Sequence, residues 1–138
     1  GEIRVLRLSE IGYFKFNASR RCWEVFLFIQ KLLAMRSSIN AMNILGFSSQ
    51  FVQIHKSYII NIQHLAMIDG DECIMYPPFN GERLPISSKY KKHCKVVLFN
   101  YKSKSPFLRI ILKNGDFNLI RKNIRKYLLL IPGIINLL

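Results

Sequence analysis

The segment 51–61 constrains the fold most strongly, because its hydrophobic pattern changes twice over a short distance. Residues 51–54 predict a short strand, and residues 58–61 predict a second buried strand that ends in a turn or cap. The polar corner between the two strands consists of His55, Lys56 and Ser57. A polar corner between two apolar anchors indicates a loop held rigidly at the surface. We expect His55 to orient this corner and Lys56 to make the outward contact.

A second corner of the same kind lies between Leu84 and Lys92, where a short strand runs into a basic helix. Apolar residues from Ser88 onward recur at helical spacing on one face, and lysines occupy the other face. The helix dipole disfavours lysines in a first turn, whereas a bound phosphate would be stabilised by free N–H groups, hydroxyls and ammonium groups together. The candidate phosphate-binding residues are Ser87, Ser88, Lys89, Lys91 and Lys92.

These two corners resemble the LytTR-type DNA-binding domain of bacterial response regulators. The matching residues are Phe51, the run His55-Lys56-Ser57-Tyr58-Ile59-Ile60-Asn61, Gly81, and the run Leu84-Pro85-Ile86-Ser87. The likeness covers residues 3 to about 98. It implies a mostly β fold, a LytTR-like β-scaffold of short antiparallel sheets with short helices. Residues 1–99 would form this domain, and residues 100–138 would be an extension.

The resemblance also implies a function, which is sequence-specific binding of double-stranded DNA for transcriptional regulation. Such domains insert loops into successive grooves, bind direct repeats and can pair as a homodimer on DNA. The residues that we carry over as groove-reaching are Arg20 and Arg21 at a hairpin tip, Lys56 and Lys89. Lysine lacks the planar fork of arginine, so we expect weaker base discrimination at positions 56 and 89. Because the chain begins with Gly1, we also expect an upstream regulatory domain, as in a response regulator.

The net charge of +13 favours a polyanionic partner, because it far exceeds the roughly 2 to 8 charges that solubility requires. Two other classes of protein fit this charge. One is a sequence-indifferent RNA-binding protein, and the other is a module that lies on an anionic membrane surface. The composition, at 50% hydrophobic residues, is sufficient for a folded core.

The remaining pattern predicts mainly strands and hairpins. A two-part strand is expected over 3–8 and 11–16, a turn over 17–21 and a returning strand over 22–28. Further strands are expected over 30–35, 65–68, 73–76 and 82–86, the last introduced by an Asn80-Gly81 hairpin turn. The predicted helix before the central segment has Ser37-Ser38 as its N-cap and Gly46 as its stop.

No chemistry of an enzyme is recognisable in the sequence. It contains no glycine-rich phosphate loop, no cluster of metal ligands and no nucleophile spaced with a base, so we expect neither catalysis, nor a cofactor, nor a small-molecule substrate. Cys22, Cys73 and Cys94 are widely spaced and odd in number, which favours reduced, buried thiols in a cytoplasmic protein.

The extension repeats the order of hairpin and basic helix seen before it. Asn114-Gly115 predicts a second hairpin turn, and residues 120–131 predict an amphipathic helix. We expect this helix to pack on the domain or on the same helix of a second chain, because its apolar stripe would otherwise be exposed. Its outward face would carry Arg121, Lys122, Arg125 and Lys126.

Overall fold

A computed structural model describes residue 3 and residues 5–29 and 31–103. The strands are β1 (Ile11–Asn17), β2 (Cys22–Leu27), β3 (Leu32–Ala34), β4 (Phe51–His55), β5 (Tyr58–Asn61), β6 (Leu65–Asp69), β7 (Glu72–Met75) and β8 (Leu84–Pro85). The helices are α1 (Ala41–Phe47) and α2 (Ser88–Ser103), and two short 3-10 turns cover Leu8–Glu10 and Ile62–His64. The mostly β fold with short helices is therefore confirmed. The extension from residue 104 lies outside the described residues.

The strands form two antiparallel sheets. The larger sheet has the order β3-β2-β1-β5-β4, and the smaller sheet has the order β6-β7-β8. β1 lies between β2 and β5 and pairs with both. Because β1 and β5 are antiparallel, the start of β5 lies beside the end of β1, although the two strands are far apart in the sequence.

Both faces of the larger sheet are covered. On one face, alternate residues such as Tyr13, Ile54 and Ile60 pack in a core shared with the smaller sheet and with Cys94 and Leu98 of α2. On the other face, a second set of residues packs against α1: Phe14, Trp23, Val25, Leu27, Phe51 and Ile59. The alternation of strand residues between two apolar faces explains why this sequence is so rich in Ile and Phe.

The prediction of a strand over residues 3–8 is wrong. Residues 5–7 have no regular structure and Leu8–Glu10 is a 3-10 turn, so only the second half of the expected strand pair forms. Both edges of β1 are occupied, which leaves the preceding segment no strand with which to pair there. Instead, Leu6 and Leu8 pack on the α1 side of the larger sheet.

The boundaries of α1 also differ from the prediction. Its N-cap is Asn40, whose side chain accepts the backbone N–H of Asn43 at 2.9 Å, while Asn43 Oδ1 accepts the backbone N–H of Asn40 at 2.9 Å. This reciprocal cap satisfies two backbone donors at once, which the two serines farther upstream do not do. Gly46 lies within the helix, which ends at Phe47.

The predicted Asn80-Gly81 hairpin turn is wrong as well. Residues 76–83 form a longer connection, and β8 is only two residues long. A two-residue turn of the expected kind needs positive φ at both central residues. Among the described residues, the only glycine with positive φ is Gly70, at 60°, in the tight turn between β6 and β7.

The three cysteines are free and buried, as expected. Cys73 and Cys94 belong to the same core, which joins the smaller sheet to α2. A hydrogen bond with Cys94 and burial raise the pKa of Cys73 far above its usual value, so its thiol stays protonated. These cysteines act as small apolar residues of the core.

Candidate nucleic-acid interface

Two hairpin tips and the start of α2 lie at one end of the larger sheet. The β1–β2 tip, residues 18–21, follows the end of β1, and the backbone N–H of Phe16 donates to the carbonyl of Ser57 at 2.9 Å. This bond places the β4–β5 turn next to the β1–β2 tip. The backbone N–H of Ser87 donates to the carbonyl of Ile54 at 2.9 Å, which brings the start of α2 beside the same turn.

The β1–β2 tip is built by a short polar network. Asn17 Oδ1 accepts the backbone N–H of Arg20 at 3.0 Å, and Asn17 Nδ2 donates to Glu24 at 2.7 Å. Arg21 has a φ of 50°, the left-handed conformation that closes many tight turns. Asparagine is suited to this place because its side chain can imitate a backbone turn. The tip presents Arg20 and Arg21 to solvent.

The corner between β4 and β5 is held by His55. Its Nδ1 accepts the backbone N–H of Ser57 at 3.0 Å, which fixes the neutral ring as the tautomer protonated on Nε2. The carbonyl of His55 accepts Gln53 Nε2 at 3.3 Å, and the His55 ring lies edge-on to Tyr58. Lys56 is exposed between these fixed points. His55 therefore holds the backbone of this loop, and the contact of Lys56 with DNA stays a prediction.

The start of α2 combines free backbone donors with cations. The backbone N–H of Tyr90 bonds to the carbonyl of Ser87 at 2.9 Å, so Ser87 stands directly before the first helical turn. The first N–H groups of a helix have no partner within it, and the helix dipole is positive there. Ser88 and Lys89 are exposed at this end, and Lys89 Nζ lies 5.3 Å from the centroid of the Tyr90 ring.

Lys91 and Lys92 differ in their surroundings, which the sequence did not predict. Lys91 Nζ donates to Asp71 Oδ1 at 2.6 Å, and this hydrogen bond holds the pKa of Asp71 below its usual value. Asp71 belongs to the tight β6–β7 turn, which Ile86 also joins by a backbone bond to the Asp71 carbonyl. Lys92 is exposed and forms no salt bridge within the described residues. Of these two lysines, Lys92 is therefore the one that is fully available to a bound anion.

The sequence also did not predict a polar cluster that lies next to the hairpin tips. Lys15 Nζ lies 3.3 Å from Glu82, and the Tyr58 hydroxyl lies 3.4 Å from the same carboxylate. Partial burial lowers the pKa of Lys15, but hydrogen bonds with Tyr58 and Glu82 outweigh it and raise that pKa overall. Burial, followed by the charge of Glu82, raises the pKa of Tyr13 above its usual range. The cluster joins β1 and β5 to the 76–83 connection, a pairing across the sequence that no local pattern reveals.

A comparison with protein-family models decides the family of the chain. The model of the LytTr DNA-binding domain matches residues 1–98. The chain belongs to the LytTr DNA-binding domain family. The matched residues include all of the loops described above and end within α2, which itself runs past the expected domain boundary at residue 99. The division into domain and extension stays a prediction.

A solved structure has the same fold as this LytTr domain. It is a LytTr DNA-binding domain from Bacillus cereus, with a TM-score of 0.54 and 20% sequence identity. The likeness covers 67% of this chain and 84% of the Bacillus cereus chain. A comparison with curated proteins found no match.

Two further observations concern the other classes of function. Within the described residues, no group of three or more His, Cys, Asp and Glu side chains could hold a metal ion. No helix in that part of the chain is long and apolar enough to cross a membrane. The family itself is one of DNA-binding domains rather than of enzymes.

Proposed function

We propose that this LytTr domain binds double-stranded DNA sequence-specifically and regulates transcription as the output domain of a response regulator. The observation that supports this proposal most strongly is the group of cations at one end of the larger sheet. Within the described residues these side chains form no salt bridge. They are Arg20, Arg21, Lys56, Lys89 and Lys92. We define them as the basic end of the domain.

The loops of the basic end make two different kinds of contact with DNA. The arginines of the β1–β2 tip, together with Lys56 and Lys89, enter the grooves and contact base edges. The N–H group of Ser88 and the hydroxyls of Ser87 and Ser88 bind a backbone phosphate with the help of Lys92. Precise contact with a base edge is favoured by a fixed backbone, and backbone and side-chain hydrogen bonds tie each of these loops to a strand.

Substitution of three lysines tests this division, with anisotropy of labelled duplexes as the measurement. Lys56→Ala and Lys89→Ala should each weaken binding to the selected site by about 1–3 kcal/mol and leave binding to random DNA less affected. Lys92→Ala should weaken all sequences about equally. The selected site comes from a random duplex pool. Equal losses on selected and random DNA for all three variants would contradict base reading by Lys56 and Lys89.

His55 is proposed as a positioning residue that sets the direction of Lys56. His55→Ala removes the acceptor of the Ser57 N–H, which is worth about 1 kcal/mol, so affinity for the selected site should fall about fivefold. His55→Asn is the matched control, because the amide oxygen of Asn accepts an N–H two residues on in the same way. If His55→Asn loses as much affinity as His55→Ala, His55 contacts DNA itself and does not merely orient the loop.

The same experiments separate DNA binding from the alternatives. A protein that binds nucleic acid without sequence preference enriches no motif from the pool, and duplex RNA competes as well as duplex DNA. A membrane-surface module floats with anionic vesicles and stops floating when residues 121–138 are removed. Enrichment of two copies of one motif in the same orientation would support binding to direct repeats, with two chains side by side.

A further inference from the structure

A recess of about 300 Å³ lies beside β1, between the β2–β3 turn and the 76–83 connection. Its volume is at the lower end of the range of about 300–1,000 Å³ that is typical of small-molecule sites. Most of its lining is apolar, and its polar groups are the side chains of Tyr13, Lys31 and Glu82. None of the cations of the basic end lines it. The recess is therefore a second candidate site, separate from the surface proposed to bind DNA.

The apolar walls of the recess are aromatic and held in place by their neighbours. Tyr13 and Phe26 are cross-strand partners and stack, with their ring centroids 4.2 Å apart and their planes inclined by 13°. The ring of Phe79 lies against Gly12, where a Cβ would overlap it, and is edge-on to His64 at 4.9 Å. Aromatic rings pair best with other flat rings, either offset-stacked or edge-on. The walls therefore favour a flat aromatic ligand.

The hydroxyl of Tyr13 is a donor without a partner. Tyr13 is only 4% exposed, and its hydroxyl forms no hydrogen bond with any described residue. In the described part of the chain, Gln50 Oε1 is the only side-chain N or O atom that is both unpaired and sealed from solvent. The Tyr13 hydroxyl is therefore not sealed, and it can be reached through the recess that Tyr13 lines. Burial, followed by the charge of Glu82, raises the pKa of Tyr13, so the hydroxyl stays protonated and can donate.

Two charged groups mark the two ends of the recess. Glu82 lies 3.3 Å from Lys15, whose partner across the sheet is Glu24. At the other end, the carbonyl of Lys31 accepts the N–H of Leu27 at 3.0 Å. Glu24 and Leu27 are three residues apart on β2, which separates the two ends by about 10 Å. Lys31 is exposed and forms no salt bridge within the described residues, so its end is open to an anion, whereas Glu82 already has a cation beside it.

These groups define the chemistry of the ligand. The ammonium of Lys31 favours a carboxylate at one end of the molecule. At the other end, a hydroxyl can accept a hydrogen bond from Tyr13 and donate one to Glu82, which neither a carboxylate nor an ammonium can do. We infer that the recess binds a small hydroxylated aromatic carboxylate, with its ring between the aromatic walls. All of these contacts are non-covalent, so the molecule would be a ligand rather than a substrate.

Calorimetric titration of the full chain with 4-hydroxyphenylacetate tests this inference. The expected result is saturable binding of one molecule per chain. Tyr13→Phe keeps the ring and removes the hydroxyl, so it should weaken binding of 4-hydroxyphenylacetate about fivefold and leave binding of phenylacetate unchanged. Tyr90→Phe is the matched control, because it makes the same chemical change at a tyrosine outside the recess. Equal effects of the two variants, or no saturable binding by the unaltered chain, would overturn the inference.

The charge of the ligand tests the part assigned to Lys31. Lys31→Ala should weaken binding of both acids about threefold, whereas Arg36→Ala, which removes an exposed cation outside the recess, should not. The unaltered chain should bind 4-hydroxyphenethylamine, which carries an ammonium in place of the carboxylate, more weakly than the acid. Equal affinity for the amine and the acid would contradict the assignment of a carboxylate.

Amide NMR spectra of the unaltered chain locate the bound acid without any substitution. Addition of 4-hydroxyphenylacetate should shift the signals of Phe26, Leu32 and Gly81, which line the recess, and leave those of the basic end in place. Shifts confined to the basic end would mean that the acid binds there as a simple anion, and the inference would be wrong.

Discussion

Lys91 and Lys92 are neighbours on α2, yet they should contribute differently to the salt dependence of DNA binding. Each phosphate neutralised by a cation contributes about −0.9 to the slope of log affinity against log salt. The five cations of the basic end set an upper limit of about −4.5 on this slope, reached if each of them also neutralises a phosphate, which is a loss of about 500-fold between 50 and 200 mM salt. Lys91 is excluded from this estimate because it is paired with Asp71 at 2.6 Å.

The assay is fluorescence anisotropy of one labelled duplex over that salt range. Lys92→Ala should flatten the slope by about 0.9, whereas Lys91→Ala should change it little, because Lys91 is paired with Asp71 and neutralises no phosphate. Asp71→Asn provides the reciprocal test, since it releases Lys91 and should steepen the slope by up to about 0.9. Equal flattening by Lys91→Ala and Lys92→Ala would refute the reasoning from the ion pair.

Two predictions concern stability, measured by urea unfolding. Asn61→Ala should cost about 3 kcal/mol, because the buried side chain donates to the carbonyls of Leu8 and Ile11 and accepts the N–H of Gln63, three bonds of about 1 kcal/mol each. A cost below about 1 kcal/mol would mean that water replaces these bonds. Gly12→Ala should cost about 1–3 kcal/mol, because a Cβ at this position would overlap the ring of Phe79, and Gly46→Ala, which meets no neighbour, is its control.

Local patterns were sufficient wherever the deciding interactions are close in the sequence. The alternation along β4 and β5, the apolar face of α2 and the tight turn at Gly70 all follow from residues within one or two turns of each other. The same is true of the corner at His55, whose decisive bond joins residues two apart. The motif-based resemblance succeeded for this reason and is confirmed by the family match over residues 1–98.

Long-range pairing decided the rest, and the sequence alone did not predict it. The position of β5 beside β1 brings the two hairpin tips together, and a single bond from Ser87 to Ile54 adds the start of α2. Residues 5–7 form no strand, although their alternating residues favour one. The sequence does not show which lysine of α2 has an acidic partner, so only the tertiary structure separates Lys91, held by Asp71, from Lys92. Local patterns in the sequence determined most of the strands, the corner at His55 and the basic helix, whereas the sheet order determined which cations meet on one surface without a salt bridge to any described residue.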